Sequence, residues 1–416
     1  MSQLPRYESY KDSGVQWLGE IPSHWDVKRM KFVVANVGDK VYAKESDLRY
    51  FGLENIESFT GKLLDSVELE SEGIGHRFQK DDVLFGKLRP YLAKVFLAQE
   101  EGLSSTEALV FRSSEVIYPK FLSYYCLSQD FINEVNGTTF GSKMPRASWD
   151  DISSFRMVYP SLDEQKIIVG FLDKRLAQVD ALIAKQETLL EKLAEQRVAL
   201  ISHAVTKGLN PDVEMKESGI DYLGKIPKNW KVVKLSRVFS IKAGGDVQED
   251  KFSRECSEDY PYPIYTNAND AKSIYGYTNE ARYPSNSITV SGRGEVGFAV
   301  YRDHSFDAII RLLVMMPYQE VDCRYYTYLI NAVIDFQVNS SAVNQLSTLQ
   351  IAPYKVLLFS GSDQKKIADY LDVECGKIDG MTQVVEKTIS KLQEYRSTLI
   401  TQVVTGKIDV RNLKVN

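Results

Sequence analysis

The chain has 416 residues, 44% hydrophobic and 26% charged, with 51 lysines and arginines against 56 aspartates and glutamates, for a net charge of −5. That length has room for two to four domains, the composition is that of an ordinary soluble globular protein, and no apolar run approaches the 18 or so residues of a membrane span. The acidic balance argues against a surface coated in basic charge; residues 1–160 alone carry 19 basic against 23 acidic side chains. Any nucleic-acid contact therefore needs basic groups gathered on one face, or supplied by partner subunits.

From Met1 to Tyr10 the chain is polar, with no signal-peptide pattern. An entry segment follows, Ser-Gly-Val-Gln-Trp-Leu-Gly-Glu-Ile-Pro-Ser-His-Trp at 13–25, and then short β-like runs at 83–88, 94–98 and 108–112. Residues 120–135 carry aromatic and aliphatic side chains at three- and four-residue spacing, which predicts helix. A long helix comes next. Its seam is Leu172, Leu176, Val179, Ile183, Gln186, Leu190, Leu193, Arg197, Leu200 and Ala204, in alternating steps of four and three, the spacing of a coiled coil. Ser161 and Glu164 form a capping signal at its start, and Gly208 with Pro211 marks its stop.

The plan then repeats. Ser-Gly-Ile-Asp-Tyr-Leu-Gly-Lys-Ile-Pro-Lys-Asn-Trp at 218–230 echoes 13–25 at an offset of 205 residues, and Ser-Asp-Gln-Lys-Lys-Ile at 362–367 echoes Asp-Glu-Gln-Lys-Ile-Ile at 163–168 at an offset of 199. Between these fixed frames the two middles differ by six residues and almost wholly in sequence. Strand-like runs fall at 287–291 and 297–301, and helix is predicted over 322–338. A second long helix has its seam at Leu371, Cys375, Ile378, Thr382, Val385, Ile389, Leu392, Arg396, Leu399 and Val403, a capping signal at Ser360 and Asp363, and a stop at Gly406. At 1.5 Å per residue, about 45 residues make a rod of about 65 Å. Each helix must bury its seam, and the other is the obvious partner. An antiparallel pair places the two modules at opposite ends. In both helices an arginine occupies the same late seam position, able to pair with a carboxylate across the helices and so fix register.

Few segments carry catalytic chemistry. Gly292 to Gly297 matches G-x-G-x-x-G, but a strand follows it where a dinucleotide site needs a helix N-terminus. The segment instead reads as a glycine-rich hairpin that brings Arg293 close to a partner. Asp212, Glu214 and Lys216 faintly resemble a nuclease signature but lie in a linker. The four histidines have no ligand spacing, the four cysteines are scattered singly as buried or free thiols of a reducing compartment, and neither a Walker A sequence nor an Asn/Asp-Pro-Pro-Tyr/Phe tetrapeptide is present. Basic and amide side chains on turn-like segments remain: Arg77, Lys87, Arg89, Lys143 and Arg146 in the first module, and Asn267, Asn269, Arg293, Asn344 and Gln345 in the second. Arginine and lysine suit guanine edges and phosphates, while asparagine and glutamine suit adenine.

Trp-Leu-Gly-Glu-Ile-Pro-Ser-His-Trp (17–25), Asp-Asp-Val-Leu-Phe-Gly-Lys-Leu-Arg-Pro-Tyr-Leu-Ala-Lys (81–94), Ser-Thr-Glu-Ala-Leu-Val-Phe-Arg (105–112) and the two helix starts together resemble the specificity subunits of type I restriction–modification systems, over the whole chain and twice in order. The second module departs from the pattern, with Val-Ser-Gly-Arg-Gly in place of the Phe-Gly-Lys-Leu-Arg-Pro string. The resemblance implies an α+β protein with two mixed α/β target recognition domains, residues 1–160 and 208–358. An antiparallel coiled coil of two long helices, within 161–207 and 359–416, separates them in a pseudo-twofold repeat. It also implies a non-catalytic, cytoplasmic chain that reads a bipartite site on double-stranded DNA and docks two methyltransferase subunits, with restriction/translocase subunits completing the complex. S-adenosylmethionine, ATP and Mg would then reside on those partners. A stand-alone methyltransferase or nuclease, and a coiled-coil scaffold without a nucleic-acid role, are the alternative readings.

Overall fold

Seven helices of four or more residues order the described parts of the chain: α1 (Pro119–Leu127), α2 (Gln129–Gly137), α3 (Trp149–Ser154), α4 (Leu162–Lys207), α5 (Cys323–Val333), α6 (Thr348–Ile351) and α7 (Gly361–Val404). They belong to a computed structural model that describes residues 5–64, 73–141, 143–267, 274–336 and 345–413. The chain divides into two units, residues 1–187 with 386–416, and residues 188–385.

In the first unit, one four-stranded sheet runs Val34–Asn36, Ala108–Ser113, Val83–Gly86, Val95–Leu97 in spatial order, and another runs Asp39–Tyr42, Ile74–Phe78, Gly102–Ser105, Tyr50–Phe51. The first sheet packs on α1, with Phe85, Phe111, Phe121 and Tyr125 in a core that also holds Leu172, Leu176, Leu399, Ile400 and Val403 of the long helices. Phe51, Phe78, Leu84, Phe96 and Val110 form a second cluster between the sheets. The predicted strands are all present, but the stretch 120–135 is two helices, because Ser128 leaves helical geometry at ψ 138°.

The second unit repeats this arrangement. Its sheets run Phe239–Ala243, Leu312–Pro317, Ser287–Ser291, Ala299–Arg302, and Phe252–Ser253, Ile274–Thr278, Tyr262–Tyr265, Asp307–Ala308. The pairing of Asp26–Arg29 with Arg156–Tyr159 recurs as Lys231–Lys234 with Lys355–Leu358, residue for residue at offsets of 205 and 199. Ala108 and Leu312, and Pro119 and Cys323, stand at an offset of 204. One of the six missing residues therefore lies before Leu312, and five lie after α5. There the first unit has α2, whereas the second has only 334–347, of which 334–336 and 345–347 are described. The predicted helix over 322–338 accordingly ends at Val333.

Each unit's core contains the start of one long helix and the end of the other. Leu172 and Leu176 lie with Leu399 and Val403 in the first, and Ile201 and Ala204 with Ile367, Leu371 and Cys375 in the second. The helices therefore pair antiparallel. Between residues 181 and 200, the only positions not exposed are the seam residues Ile183, Gln186, Leu190, Leu193, Arg197 and Leu200. The seam arginines pair across the helices as the spacing predicts, Arg396 with Asp180 at 2.9 Å and Arg197 with Asp379 at 3.2 Å. These are corresponding pairs in the two copies.

The repeated motifs lock the helix starts in place. Gln165 is fully buried, accepts from Tyr118 N–H (2.7 Å) and donates to Val116 O and Pro160 O. Gln364 does the same with Asp322 N–H (3.0 Å) and Phe359 O. Two helical turns later, Asp173 takes Lys120 and Tyr124, and Asp372 takes Arg324 and Tyr328. These bonds dock α1 on α4 and α5 on α7. The expected capping box is only half present. Ser161 Oγ accepts from Glu164 N–H, but the Glu164 carboxylate is buried and accepts from Tyr7 and Trp25, while Ser360 Oγ bonds Ser362 instead. Gly208 and Gly406 end the helices at φ +78° and +74°.

Cys126, Cys323 and Cys375 are buried and Cys256 is exposed, all as thiols. Asp212 and Glu214 precede a short strand, Met215–Glu217, and Glu214 pairs with Lys228. Among the described residues no helix is long and apolar enough to cross a membrane, and no cluster of histidine, cysteine and carboxylates could hold a metal ion.

Candidate nucleic-acid interface

At the end of strand Val83–Gly86 the chain turns through Lys87, Leu88 and Arg89. Lys87 N–H donates to Glu107 O and its carbonyl accepts from Ala147 N–H, both at 2.9 Å, while Arg89 N–H donates to Pro145 O at 2.8 Å. Leu88 faces Arg146. These bonds lay the backbone of residues 145–147 along that of 87–89, and the exposed Lys143 lies three residues before Arg146 on the same segment. Arg89 is held at φ +52°, a left-handed conformation that costs a residue with a Cβ roughly 1–2 kcal/mol. Arg146 gives Nε and Nη2 to the Glu107 carboxylate at 3.0 and 3.4 Å, a forked pair that fixes its plane. Lys87, Arg89 and Lys143 form no ion pair among the described residues.

Sequence reasoning missed the apolar part of this surface. Phe140 exchanges backbone hydrogen bonds with Arg146 (3.3 and 3.1 Å), yet it is 63% exposed, and Tyr91, in the turn after Arg89, and Met144, two residues before Arg146, are exposed too. Large apolar groups on a backbone held this firmly, next to unpaired cations, suit contact with base edges and faces. The signal was present in Phe-Gly-Ser-Lys-Met-Pro-Arg, where an aromatic and a methionine interleave with the basic residues of a turn. Arg77 is not part of this group. It lies on the second sheet, opposite Asp39 and Leu103, in an exposed pair with Glu101 at 2.9 Å.

The second unit builds its counterpart on the same frame. Gly292 follows strand Ser287–Ser291, and its carbonyl accepts from Leu346 N–H at 2.9 Å. Gly292 stands 205 residues after Lys87, and Leu346 stands 199 after Ala147. The predicted hairpin is confirmed, since Ser287–Ser291 pairs antiparallel with Ala299–Arg302. A Cβ on Gly292 would lie 2.2 Å from Arg311 O, so the close approach requires glycine. Arg293 Nη2 donates to Gln345 Oε1 at 3.2 Å, and Arg293 Nε is buried with no hydrogen-bond partner among the described residues. Asn267 is drawn into the same turn, where its Oδ1 accepts from Gly292 N–H (2.8 Å) and its Nδ2 donates to Ile310 O (3.4 Å). Nearby, burial works against the Arg282 cation, but the 2.6 Å bond to buried Asp307 and the charge of that carboxylate together outweigh it and hold the guanidinium charged. Asn269 and Asn344 lie outside the described residues.

This arrangement can present donors and apolar groups to a polyanion from the same place on two like scaffolds, with different side chains on each. The chain is similar to several known proteins. It is 36% identical over 157 residues to a type I specificity subunit of Mycoplasma pneumoniae, S.MpnORF89P, a match covering 36% of this chain and 46% of that protein. The chain thus spans about half the length of the M. pneumoniae relatives it matches. It is 23% identical over 439 residues to the MjaVIII type I restriction enzyme specificity subunit of Methanocaldococcus jannaschii, covering 94% of this chain and 95% of that one. A solved chain from a type I R-M system, described for complex assembly and conformational transition, shares the fold with a TM-score of 0.76 at 16% identity, over 92% of this chain and 98% of that chain. The model of the type I restriction modification DNA specificity domain matches residues 55–192 and again 227–387. With that domain present twice on a repeated fold, the chain belongs to the type I restriction–modification DNA specificity family.

Proposed function

We propose that this chain is the non-catalytic, sequence-reading subunit of a type I restriction–modification complex. In this reading the recognition domains, residues 1–160 and 208–358, each read one half of a bipartite duplex site. The helices within 161–207 and 359–416 set the spacing and dock two methyltransferase subunits. Those partners would hold S-adenosylmethionine and methylate adenine, and restriction/translocase subunits using ATP and Mg would complete a cytoplasmic complex. The observation that carries the reading is the pair of corresponding turns. The backbone bond from Ala147 to Lys87 recurs from Leu346 to Gly292, while the side chains around it change from Lys87, Arg89, Lys143 and Arg146 to Arg293 and Gln345. One scaffold with two unlike sets of donors is what two different half-sites require.

Lys87, Arg89 and Lys143, which form no ion pair among the described residues, are the first domain's free donors, with Phe140 positioned against the bases. Arg293 and Gln345 act as a joined pair in the second, and Asn267 holds their turn. Arg77, on the second sheet, is assigned an outlying contact, while Asn269 and Asn344 lie outside the described residues. The acidic net charge fits a reader whose partners share the attraction to phosphate.

The test is selection from random duplexes by the chain assembled with its methyltransferase partner, together with sequencing of methylated adenines in cells carrying both. Two short motifs at a fixed gap are expected. A complex that binds without selecting sequence supports the scaffold alternative, and methylation by the chain without its partner supports the enzyme alternative.

A further inference from the structure

Arg396 lies in the seam of α7 and is 6% exposed. Its guanidinium joins three elements of the first unit. Nε donates to Asp180 of α4 at 2.9 Å, Nη1 to Phe59 O at 2.6 Å and Nη2 to Thr60 O at 3.1 Å. Lys62, on the same loop, takes the other Asp180 oxygen at 2.6 Å. The loop is a closed hairpin, with Glu57 N–H bonded to Lys62 O and Ile56 facing Leu63. Phe59, at φ +65°, donates its N–H to Ala93 O at 3.1 Å. Ala93 closes the short turn Pro90–Leu92 that begins at Arg89. A continuous hydrogen-bonded support therefore runs from the helix seam to the turn that presents Arg89.

Clefts of about 540 and 490 Å³ flank the bridge, and Thr60, Lys62, Asp180 and Arg396 line both. The corresponding arginine in the second unit differs. Arg197 has a side chain 41% exposed against 8% for Arg396, and among the described residues it bonds Asp379 and no backbone carbonyl of a recognition loop.

We propose that Arg396 is a positioning residue that fixes the first domain's reading turn on the helix pair, so that full affinity is reached at one gap length between the half-sites. This rests on the DNA-reading function proposed above and adds the residue that ties reading to spacing. A buried arginine donating to two carbonyls and a carboxylate admits one geometry, whereas a lost bridge lets the loop shift into the adjoining clefts.

The experiment measures affinity of the complex with its methyltransferase partner for duplexes carrying the selected half-sites at the native gap and at gaps one base pair shorter and longer. In R396M the preference for the native gap is expected to fall on the order of tenfold, with base preference in each half-site unchanged. R396K is expected to recover part of the preference, and R197M to leave it at the wild-type value. K62M removes an exposed partner of the same bridge and is expected to shift the preference the same way but less, so the proposal stays open to refutation if R396M does not fold. Loss of affinity by one common factor at every gap in R396M, or an unchanged gap preference in folded K62M, overturns the proposal. Absence of any base preference in the wild-type complex instead overturns the DNA-reading function beneath it.

Discussion

Gly292 shows how one atom decides which side chain a turn can offer. Any Cβ there meets Arg311 O at 2.2 Å and Leu346 O at 3.1 Å, so Gly292→Ala must push the turn away from its neighbours. The expected cost is about 1–3 kcal/mol by denaturant unfolding. Selection at the second half-site should be lost, while the first, on a separate turn, stays as it was; equal loss at both would refute the separate assignment. Asp180 offers a pH test. Burial pushes its carboxyl up, but the Lys62 hydrogen bond and the nearby Arg396 cation outweigh that and hold it below the ordinary value. A carboxyl depressed on folding contributes stability that is present above its unfolded value of about 3.9 and is lost as pH falls toward the folded one. Acid unfolding of the wild type should therefore steepen below about pH 4, and Asp180→Asn should remove that component while being less stable at pH 7. An acid transition identical in the variant would show that Asp180 does not contribute. The sequence exposed Arg293 and the need for glycine beside it, because Gly-Arg-Gly between two strand patterns has to turn tightly and glycine supplies the backbone freedom. It hinted at Phe140, an aromatic among the basic residues of a turn, but not at the backbone pairing with Arg146 that holds it in place.

The long helices were the most legible elements, since their burial follows the four-three spacing position by position, including both arginines. Their caps were less so. Glu164 fits a capping box in sequence, but a carboxylate within reach of Tyr7, Trp25 and His24 gains more from three partners than from one backbone N–H. Tertiary contacts from residues more than a hundred positions away cannot be read locally. The helix pair leads to a prediction at its own scale. Four residues inserted into α4 beyond Gln186 add about 6 Å, or one to two base-pair steps of roughly 3.4 Å. Duplex selection should then return the same two half-site sequences at a longer gap. An unaltered gap would refute the spacing role, and altered half-sites would show that the helices also shape the readers.

Across the whole molecule, the two copies keep the bonds that build the frame and change the surfaces built upon it. Gln165 and Gln364, and Asp173 and Asp372, do the same work in each unit, and Trp25 and Trp230 are both buried. These are the residues that made the repeat visible in sequence, because an amide or carboxylate with two or three hydrogen-bond partners tolerates little substitution. The reading turns carry no such constraint beyond one backbone bond, so they diverged, and their correspondence appears only when Ala147 and Leu346 are seen to donate to Lys87 and Gly292. The same division makes the recognition surface exchangeable. Residues 26–158 begin just after Trp25 and end before the Gln165 lock, and they include both first-unit sheets with α1, α2 and α3. Replacing them with the corresponding segment of another family member should therefore preserve the helix docking if the incoming segment supplies partners for Asp173, Asp180 and Arg396. Methylome sequencing of cells carrying the exchanged chain and its methyltransferase partner should then find one new half-site, the old second half-site and a defined gap. If both half-sites change, the domains do not read independently. If the gap blurs while both half-sites remain sharp, the incoming loop has failed to meet Arg396.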